Sequence, residues 1–154
     1  MYRLERTQRI PAPISEVFAF FSDPANLGRI TPPGLRFRIR GERSSPLAAG
    51  SRIEYRILWA GIPIRWVTRI TEWQPPREFE DVQEIGPYRR WRHGHRFAED
   101  AAGVEMQDCI DYEMPFGVLG RLVHALRVRS QLEAIFEYRR TAIGEIFGND
   151  SRTP

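Results

Sequence analysis

The chain reads WRHGHRF at residues 91–97, and this stretch decides how the rest of the sequence is interpreted. Its aromatic and histidine residues alternate with arginine, which is the period-two pattern of a strand with one buried face. Two imidazoles therefore point into an interior that should be apolar, and buried polar groups are costly unless something hydrogen-bonds them. Either neighbouring side chains or a ligand must satisfy both histidines. Because arginine favours water, the inward face carries Trp91, His93, His95 and Phe97.

The composition excludes several functional classes. The chain of 154 residues has a formal net charge of +3, and all 23 of its basic residues are arginine. Without lysine there is no Schiff-base lysine, no P-loop lysine and no lysine general base. Basic and acidic residues are interleaved along the chain, so we expect no nucleic-acid binding. Cys109 is the only cysteine, which excludes an intrachain disulfide and a metal site built from several cysteines.

The length favours a single domain, which we place at residues 1–148, followed by a short polar tail at residues 149–154. The first residues lack the apolar core of a secretion signal, and no apolar run approaches the ~20 residues that span a bilayer. We therefore expect a cytoplasmic protein without integral membrane association. The sequence leaves the oligomeric state open.

The predicted elements follow the order strand, two short helices, six strands and one long helix. Pro11 and Pro13 end the first strand, and the second short helix begins at Pro24. Turn-forming residues separate the six later strands, which indicates hairpins of an antiparallel sheet. The predicted strands cover residues 2–10, 35–41, 52–59, 62–73, 77–85, 90–98 and 104–113.

A long helix is predicted at residues 118–147, because apolar residues recur there at spacings of three and four. This stripe should pack on the sheet, whereas His124 is expected at the helix surface or at the edge of a pocket. Charged residues, including Arg139, occupy the other faces of the helix. The apolar stripe consists of Leu119, Leu122, Val123, Leu126, Leu132, Ile135, Phe136, Ile143, Ile146 and Phe147.

The element order and three stretches of sequence resemble the START/Bet v 1-like (SRPBCC) superfamily. The stretches are Ile10–Pro13, Val17–Leu27 and Gly86–Phe97. Within that superfamily the chain is similar to the bacterial polyketide cyclase/dehydrase and lipid-transport group over residues 2–147. The resemblance implies an α+β helix-grip fold, with a curved seven-stranded antiparallel sheet around a long C-terminal helix and two short helices after strand 1. Because the superfamily includes carriers, receptors, cyclases and ring-oxygenase domains, the fold alone does not choose a function.

The resemblance also implies a cavity between the sheet and the long helix, and the alternation within each strand indicates which side chains face it. The strands before residue 75 contribute mostly apolar side chains to this inward face. The three strands that follow contribute polar side chains as well, which is unusual for a core. The inward polar row consists of Asp81, Gln83, His93, His95 and Asp108.

The length of the last hairpin gives an estimate of which residues of this row are neighbours. A short loop at residues 99–102 would place His93 opposite Asp108 and His95 opposite Met106. In that arrangement His95 is freer than His93 to contact a ligand. The two histidines should therefore not be equivalent.

The preceding hairpin places His93 beside Asp81 or Gln83, depending on whether its loop has three or five residues. A carboxylate neighbour orients one imidazole nitrogen and favours the protonated ring. We therefore predict a raised pKa for His93.

We interpret the inward face as the binding site of a small hydrophobic molecule with a polar group, such as a lipid, a quinone or a polyketide-like compound. The polar row would hold the polar group, and aromatic side chains would hold the apolar body. The prediction includes no cofactor and no metal ion. The predicted ligand-binding residues are Tyr55, Trp66, Thr68, Asp81, Gln83, Trp91, His93, His95, Phe97, Met106, Asp108 and Ile110.

Four other interpretations stay open. The polar row could be a set of mutually paired core residues that sets the strand register. His93 and His95 could bind a metal ion such as zinc, together with Asp108 or Asp81. A cofactor-free cyclase or dehydratase would use His93 as acid or base and Asp108 to orient it, since no nucleophile faces the row. A protein-interaction module would use the arginine-rich outer face of the sheet.

Overall fold

The computed structural model describes residues 1–41, 47–59 and 61–148. The predicted polar tail at residues 149–154 lies outside the described residues. The strands are β1 (Tyr2–Ile10), β2 (Arg38–Arg40), β3 (Arg52–Trp59), β4 (Ile62–Gln74), β5 (Glu78–Ile85), β6 (Arg90–Asp100) and β7 (Gly103–Glu113). The α-helices are α1 (Ile14–Phe21), α2 (Gly117–Val123) and α3 (Arg129–Phe147); short 3₁₀ segments cover Pro24–Ile30 and Pro33–Leu35, and a π-turn covers His124–Val128.

The described strands form one antiparallel sheet in the order β1-β7-β6-β5-β4-β3-β2. Consecutive strands from β2 to β7 are neighbours, whereas β1 pairs with β7 at the far end of the sheet. The register of β4 against β5 shifts between Val67 and Thr68 and again between Ile70 and Glu72. Bulges of this kind bend a strand and increase its twist. They help the sheet to curve around the C-terminal helix.

β2 is shorter than the strand predicted at residues 35–41. Pro33–Leu35 form a 3₁₀ turn, and Arg36 follows with a φ of 45°. A non-glycine residue in this left-handed region does not continue an extended strand. Pairing with β3 therefore starts only at Arg38.

Buried side chains on the inner face of the sheet form two clusters. The first includes Val17 of α1 and Val104 and Met106 of β7, so it attaches α1 to the sheet. The second includes Ile110 of β7 and Leu132 of α3, so it attaches the long helix to the sheet. The polar row predicted from the sequence lies on this same inner face.

The C-terminal helix spans residues 117–147, and the π-turn interrupts it in its first half. Each hydrogen bond of a π-turn closes over one extra residue, so the helix face changes phase there. Gly120 packs so closely on Pro115 that an added Cβ would lie 1.9 Å from the Pro115 carbonyl oxygen. The buried face of the whole C-terminal helix contains a residue at every fourth position: Gly120, His124, Val128, Leu132 and Phe136.

The first part of the predicted apolar stripe does not pack on the sheet. Leu126 is 70% exposed and Leu119 is 63% exposed, while Leu122 and Val123 are exposed as well. His124, expected at the surface or at a pocket edge, is instead buried. The phase change at the π-turn explains both errors, because it turns His124 inward and the leucines outward.

His124 contacts two tyrosines in its buried position. Its Nε2 lies 2.7 Å from the Tyr112 hydroxyl oxygen, within a hydrogen bond, and its ring stacks on Tyr2 with centroids 3.5 Å apart. These partners satisfy the imidazole within the core. They also leave His124 outside the polar row.

The outer face of the sheet is charged, and several of its arginines pair with glutamates across neighbouring strands. Arg65 donates two hydrogen bonds to Glu54, and Arg92 donates one to Glu80. Exposed pairs of this type contribute little to stability. None of the described helices is both long and apolar enough to cross a bilayer.

Candidate functional site

Asp81 of β5 lies directly opposite His93 of β6, which is one of the two arrangements left open by the sequence. The other candidate, Gln83, turns toward the loop that follows β5. Its side-chain amide donates to the Tyr88 carbonyl at 2.8 Å, and its Oε1 accepts from the Tyr88 backbone N–H at 3.3 Å. Gln83 therefore holds this loop in place and does not flank His93.

The predicted pairing between β6 and β7 is wrong by two residues. His95, not His93, lies opposite Asp108, and His93 lies opposite Ile110. The ladder continues to the pair Asp100 and Gly103, so the hairpin loop contains two residues instead of four. A shift by two preserves which face each side chain occupies.

Asp81, His93, His95 and Asp108 form a compact cluster, which we call the His–Asp quartet. Asp108 Oδ1 lies 2.9 Å from His93 Nε2, within a hydrogen bond, and 2.8 Å from His95 Nδ1. The second contact is an ion-pair contact without good hydrogen-bond alignment. Asp81 Oδ2 lies 3.8 Å from His93 Nδ1 and 3.6 Å from His95 Nε2. Each imidazole thus lies between two carboxylates.

Burial opposes protonation of both histidines, but the net shifts of their pKa values have opposite signs. Burial lowers the pKa of His93, the neighbouring His95 lowers it further, and the contacts with Asp108 and Asp81 do not compensate. Burial also opposes protonation of His95, but its contacts with Asp108 and Asp81 outweigh it and raise the pKa of that ring. For Asp108, the contacts from both histidines outweigh burial and hold the carboxyl pKa well below its usual range. His95 is therefore the ring that gains most from carrying a proton.

Two predictions about the histidines are wrong, and each has its own physical reason. The pKa of His93 is lowered, not raised, because its desolvation and the neighbouring imidazole outweigh the carboxylates. His95 is also less free than expected, since it contacts Asp108 and stacks on Phe79 with ring centroids 4.2 Å apart. The two rings are inequivalent, as predicted, but the raised pKa belongs to His95 and the lowered pKa to His93.

A cavity of about 160 Å³ lies between the sheet and α3, and Asp81, His93 and His95 of the quartet form part of its wall. This volume is comparable with that of protein cavities that bind benzene. Trp66 Nε1 donates to Thr68 Oγ1 at 3.1 Å, and the Tyr55 hydroxyl lies 3.5 Å from the same oxygen. Burial raises the pKa of Tyr55 far above its usual range, so its hydroxyl stays protonated and available for hydrogen bonding.

The structure brings seven of the predicted ligand-binding residues to this cavity. They are Tyr55, Trp66, Thr68, Asp81, Trp91, His93 and His95. The other five lie elsewhere: Gln83 holds a loop, Phe97 and Met106 pack beneath α1, Ile110 packs in the second core cluster, and Asp108 lies behind the histidines. Alternation along a strand predicts that a side chain faces the interior, but it does not predict whether that side chain packs in the core or lines the cavity.

Several cavity residues come from parts of the chain that strand alternation does not cover. Tyr88 reaches the cavity from the loop after β5, and Leu132 and Phe136 reach it from α3. Arg139, expected on an outer face of the helix, also lines the cavity. It follows Ile135 by four residues and precedes Ile143 by four, so its position within the apolar stripe was a usable signal.

Arg139 is the only arginine among the described residues that line the cavity. Its guanidinium carbon lies 4.8 Å from the centre of the Phe136 ring, a cation–π distance. Its Nε is buried without a hydrogen-bond partner. The neighbouring Arg140 is different, because it is exposed and forms an ion pair with Glu137.

Comparison with known proteins connects this geometry to a family. The family model described as polyketide cyclase/dehydrase and lipid transport matches residues 1–141. A comparison with curated proteins finds no match.

Solved structures with the same fold cover nearly the whole chain. Protein CV1439 from Chromobacterium violaceum is 12% identical, with 96% of this chain and 98% of that chain covered and a TM-score of 0.75. TTHA0849 from Thermus thermophilus is 17% identical, with 94% and 99% covered and a TM-score of 0.67. The AHSA1-like protein from Aeromonas hydrophila is 15% identical, with 99% of both chains covered and a TM-score of 0.65. These likenesses confirm the predicted helix-grip fold.

Proposed function

Since the chain belongs to the polyketide cyclase/dehydrase and lipid transport family, we propose that it binds one small hydrophobic molecule with a polar group in the cavity between the sheet and α3. The observation that carries the proposal is the composition of the cavity wall. Aromatic and aliphatic side chains form most of it, and a few polar side chains converge on the same space. Ligand sites commonly combine an apolar wall with a small number of orienting polar groups.

Arg139 indicates the chemistry of the polar group. An arginine that is partly desolvated is costly unless an anion or a set of acceptors pairs with it. No described residue accepts a hydrogen bond from Arg139 or forms an ion pair with it. A carboxylate on the ligand would supply this partner, and guanidinium binds carboxylates in a two-pronged geometry. We therefore propose a hydrophobic carboxylic acid as the ligand class.

Two matched probes test this proposal. Naphthalene-2-carboxylate and naphthalene-2-methanol share one ring system and differ in charge, and titration calorimetry measures the affinity of each. We expect the carboxylate to bind about 10-fold to 100-fold more tightly, which corresponds to the usual contribution of about 1.5–3 kcal/mol from a charged hydrogen bond. The substitution Arg139→Gln should remove this preference, because the neutral amide keeps polarity but not charge.

Arg140→Gln is the control, since Arg140 is a neighbouring arginine that does not line the cavity. It should keep the preference for the carboxylate. Equal affinities of the wild-type protein for both probes would contradict the acid ligand. Failure of both probes to bind, with no small molecule retained in native mass spectrometry of the purified protein, would contradict ligand binding itself.

The His93–Asp108 hydrogen bond favours a second candidate function, a cofactor-free cyclase or dehydratase. Because the pKa of His93 is lowered, the ring is neutral near pH 7 and able to accept a proton, while Asp108 orients it through Nε2. The ring nitrogen left for a substrate is then Nδ1. A ligand recovered chemically unchanged favours the carrier, and a ligand converted at a rate that falls by about 10²-fold or more in His93→Gln favours the enzyme.

A further inference from the structure

We propose that Asp81, His93 and His95 bind a divalent transition-metal ion at the wall of the cavity, with Asp108 orienting the two imidazoles from behind. The sequence prediction includes no metal ion, although a zinc site is among the alternatives that it leaves open. This proposal goes beyond the binding of a hydrophobic ligand and does not depend on it. Three independent features of the quartet support it: spacing, nitrogen orientation and charge.

The distances from Asp81 to the two imidazoles are longer than hydrogen bonds and close to the spacing of two ligands on one metal ion. Asp81 Oδ2 lies 3.8 Å from His93 Nδ1 and 3.6 Å from His95 Nε2, and normal hydrogen bonds are shorter than about 3.2 Å. One ligand atom from each of the three residues lies within 4.8 Å of the other two. Zinc bound tetrahedrally at its usual distance of about 2.0–2.1 Å requires ligand atoms about 3.4 Å apart. Movements of a few tenths of an ångström would bring the two Asp81 contacts to this spacing, and the two histidine ligand atoms already lie within 4.8 Å of each other.

The orientation of the imidazoles supports the same site. Asp108 Oδ1 contacts Nε2 of His93 and Nδ1 of His95, which are the nitrogens turned away from Asp81. Metal-binding histidines typically donate the second ring N–H to a carboxylate, which fixes the tautomer and leaves the other lone pair for the metal. Here a single carboxylate contacts that nitrogen of both rings, through a hydrogen bond to His93 and an ion-pair contact with His95.

Charge balance provides a further argument. Asp81 and Asp108 are two carboxylates with side chains only 13% and 9% exposed, and no arginine forms an ion pair with either of them among the described residues. A divalent cation would neutralise both carboxylates and leave both imidazoles in the neutral form that binds metals. The buried cluster would then carry no net charge.

The ligand types define the class of metal ion. Two imidazole nitrogens and one carboxylate oxygen suit zinc, iron, cobalt or nickel, whereas calcium and magnesium favour sets of oxygen atoms. Asp81, His93 and His95 line the cavity, while Asp108 does not. Three protein ligands on one side would leave coordination positions open toward the cavity, as in metal sites that bind exogenous molecules.

Calorimetric titration of Zn²⁺ into protein freed of metal by a chelator tests the proposal. We expect one ion per chain in the wild-type protein. Asp108→Asn should keep this stoichiometry and weaken binding about 10-fold to 100-fold, the usual effect of removing the partner of a metal-binding histidine. Asp81→Asn and His95→Gln should weaken it more, because each removes a ligand atom. Asp81→Asn is nearly isosteric, and circular dichroism checks that each variant is folded.

His124→Gln provides the matched control, because His124 is also a buried histidine but contacts Tyr112 instead of the quartet. It should bind Zn²⁺ as the wild-type protein does. Nitrogen-15 NMR of the zinc-loaded protein should show metal at Nδ1 of His93 and Nε2 of His95. Zinc binding that persists in Asp81→Asn and His95→Gln, or that is lost in His124→Gln, would overturn the proposal. A protein that binds naphthalene-2-carboxylate but no Zn²⁺ would overturn this proposal alone.

Discussion

His93 and His95 are two residues apart on one strand, yet the structure gives their imidazoles different environments. Both face inward, as the alternation predicts, and both contact Asp108. The difference arises across the strands, because His93 lies opposite Asp81 while His95 lies opposite Asp108 and stacks on Phe79. The face that a side chain occupies is a local property of its strand. Its neighbour on the adjacent strand depends instead on the length of the hairpin loop that joins the two strands.

At the residue scale, we predict that the two histidines titrate on opposite sides of 6.5, the ordinary imidazole pKa. NMR of the imidazole nitrogens, recorded against pH in the presence of a metal chelator, should show His95 protonated above that pH and His93 neutral below it. Asp108→Asn should lower the pKa of His95, because it removes the carboxylate that stabilises the imidazolium. His124, which is outside the quartet, should titrate unchanged in this variant. A higher pKa for His93 than for His95 would contradict the assignment.

The raised pKa of His95 determines how the stability of the fold depends on pH. Because the folded pKa of His95 exceeds its unfolded value, the protonated ring contributes stability that is fully present below about pH 6.5 and is lost as pH rises through the folded pKa. Asp108 affects stability in the acid range, because its pKa is lower in the folded state than in the unfolded state. Its contribution is present above the unfolded carboxyl pKa and is lost as pH falls through the folded pKa.

At the element scale, the C-terminal helix shows how far periodicity predicts packing. Residues Leu132, Phe136 and Ile143 of the predicted stripe are buried, so the pattern is correct for the second half of the helix. The first half turns differently because of the π-turn at His124–Val128. A strict helical period contains no information about an inserted residue, and it does not predict the close packing of Gly120 on Pro115 just before the helix.

Paired alanine substitutions test this change of phase. Leu132 is 5% exposed and Leu126 is 70% exposed. Leu132→Ala should lower the free energy of unfolding by about 2–5 kcal/mol, the usual cost of a large-to-small change in a core. Leu126→Ala should change it by less than about 0.5 kcal/mol, as for most surface positions. Urea unfolding of both variants measures these values, and equal losses would show that the first half of the helix packs on the sheet.

At the scale of the whole molecule, the cavity exists because a curved sheet and a long helix face each other without complete filling. Ligand contacts in this space reach both layers at once: Trp66 and Trp91 belong to the sheet, and Phe136 and Arg139 to α3. A molecule bound there should therefore stabilise both layers together. A molecule bound to one surface would not.

Hydrogen–deuterium exchange measures this coupling. Saturation with naphthalene-2-carboxylate should slow amide exchange in both β6 and α3, because opening of either layer would expose the ligand. Exchange in α2, which does not line the cavity, should be unaffected apart from any change in global stability. Protection limited to one layer or to α2 would contradict binding inside the cavity.

The sequence by itself determined the order of the elements and the face that each strand turns inward. It also determined that the inward face carries polar side chains between residues 81 and 108. These features depend on local chemistry: proline and glycine interrupt strands, and side-chain alternation assigns faces. Only the tertiary structure decided the pairing of His95 with Asp108, the inward turn of His124, and the presence of Arg139 in the cavity. The first follows from a two-residue hairpin loop, the second from a π-turn, and the third from the packing of α3 against the sheet. Side-chain alternation and helical periodicity predict none of these three features.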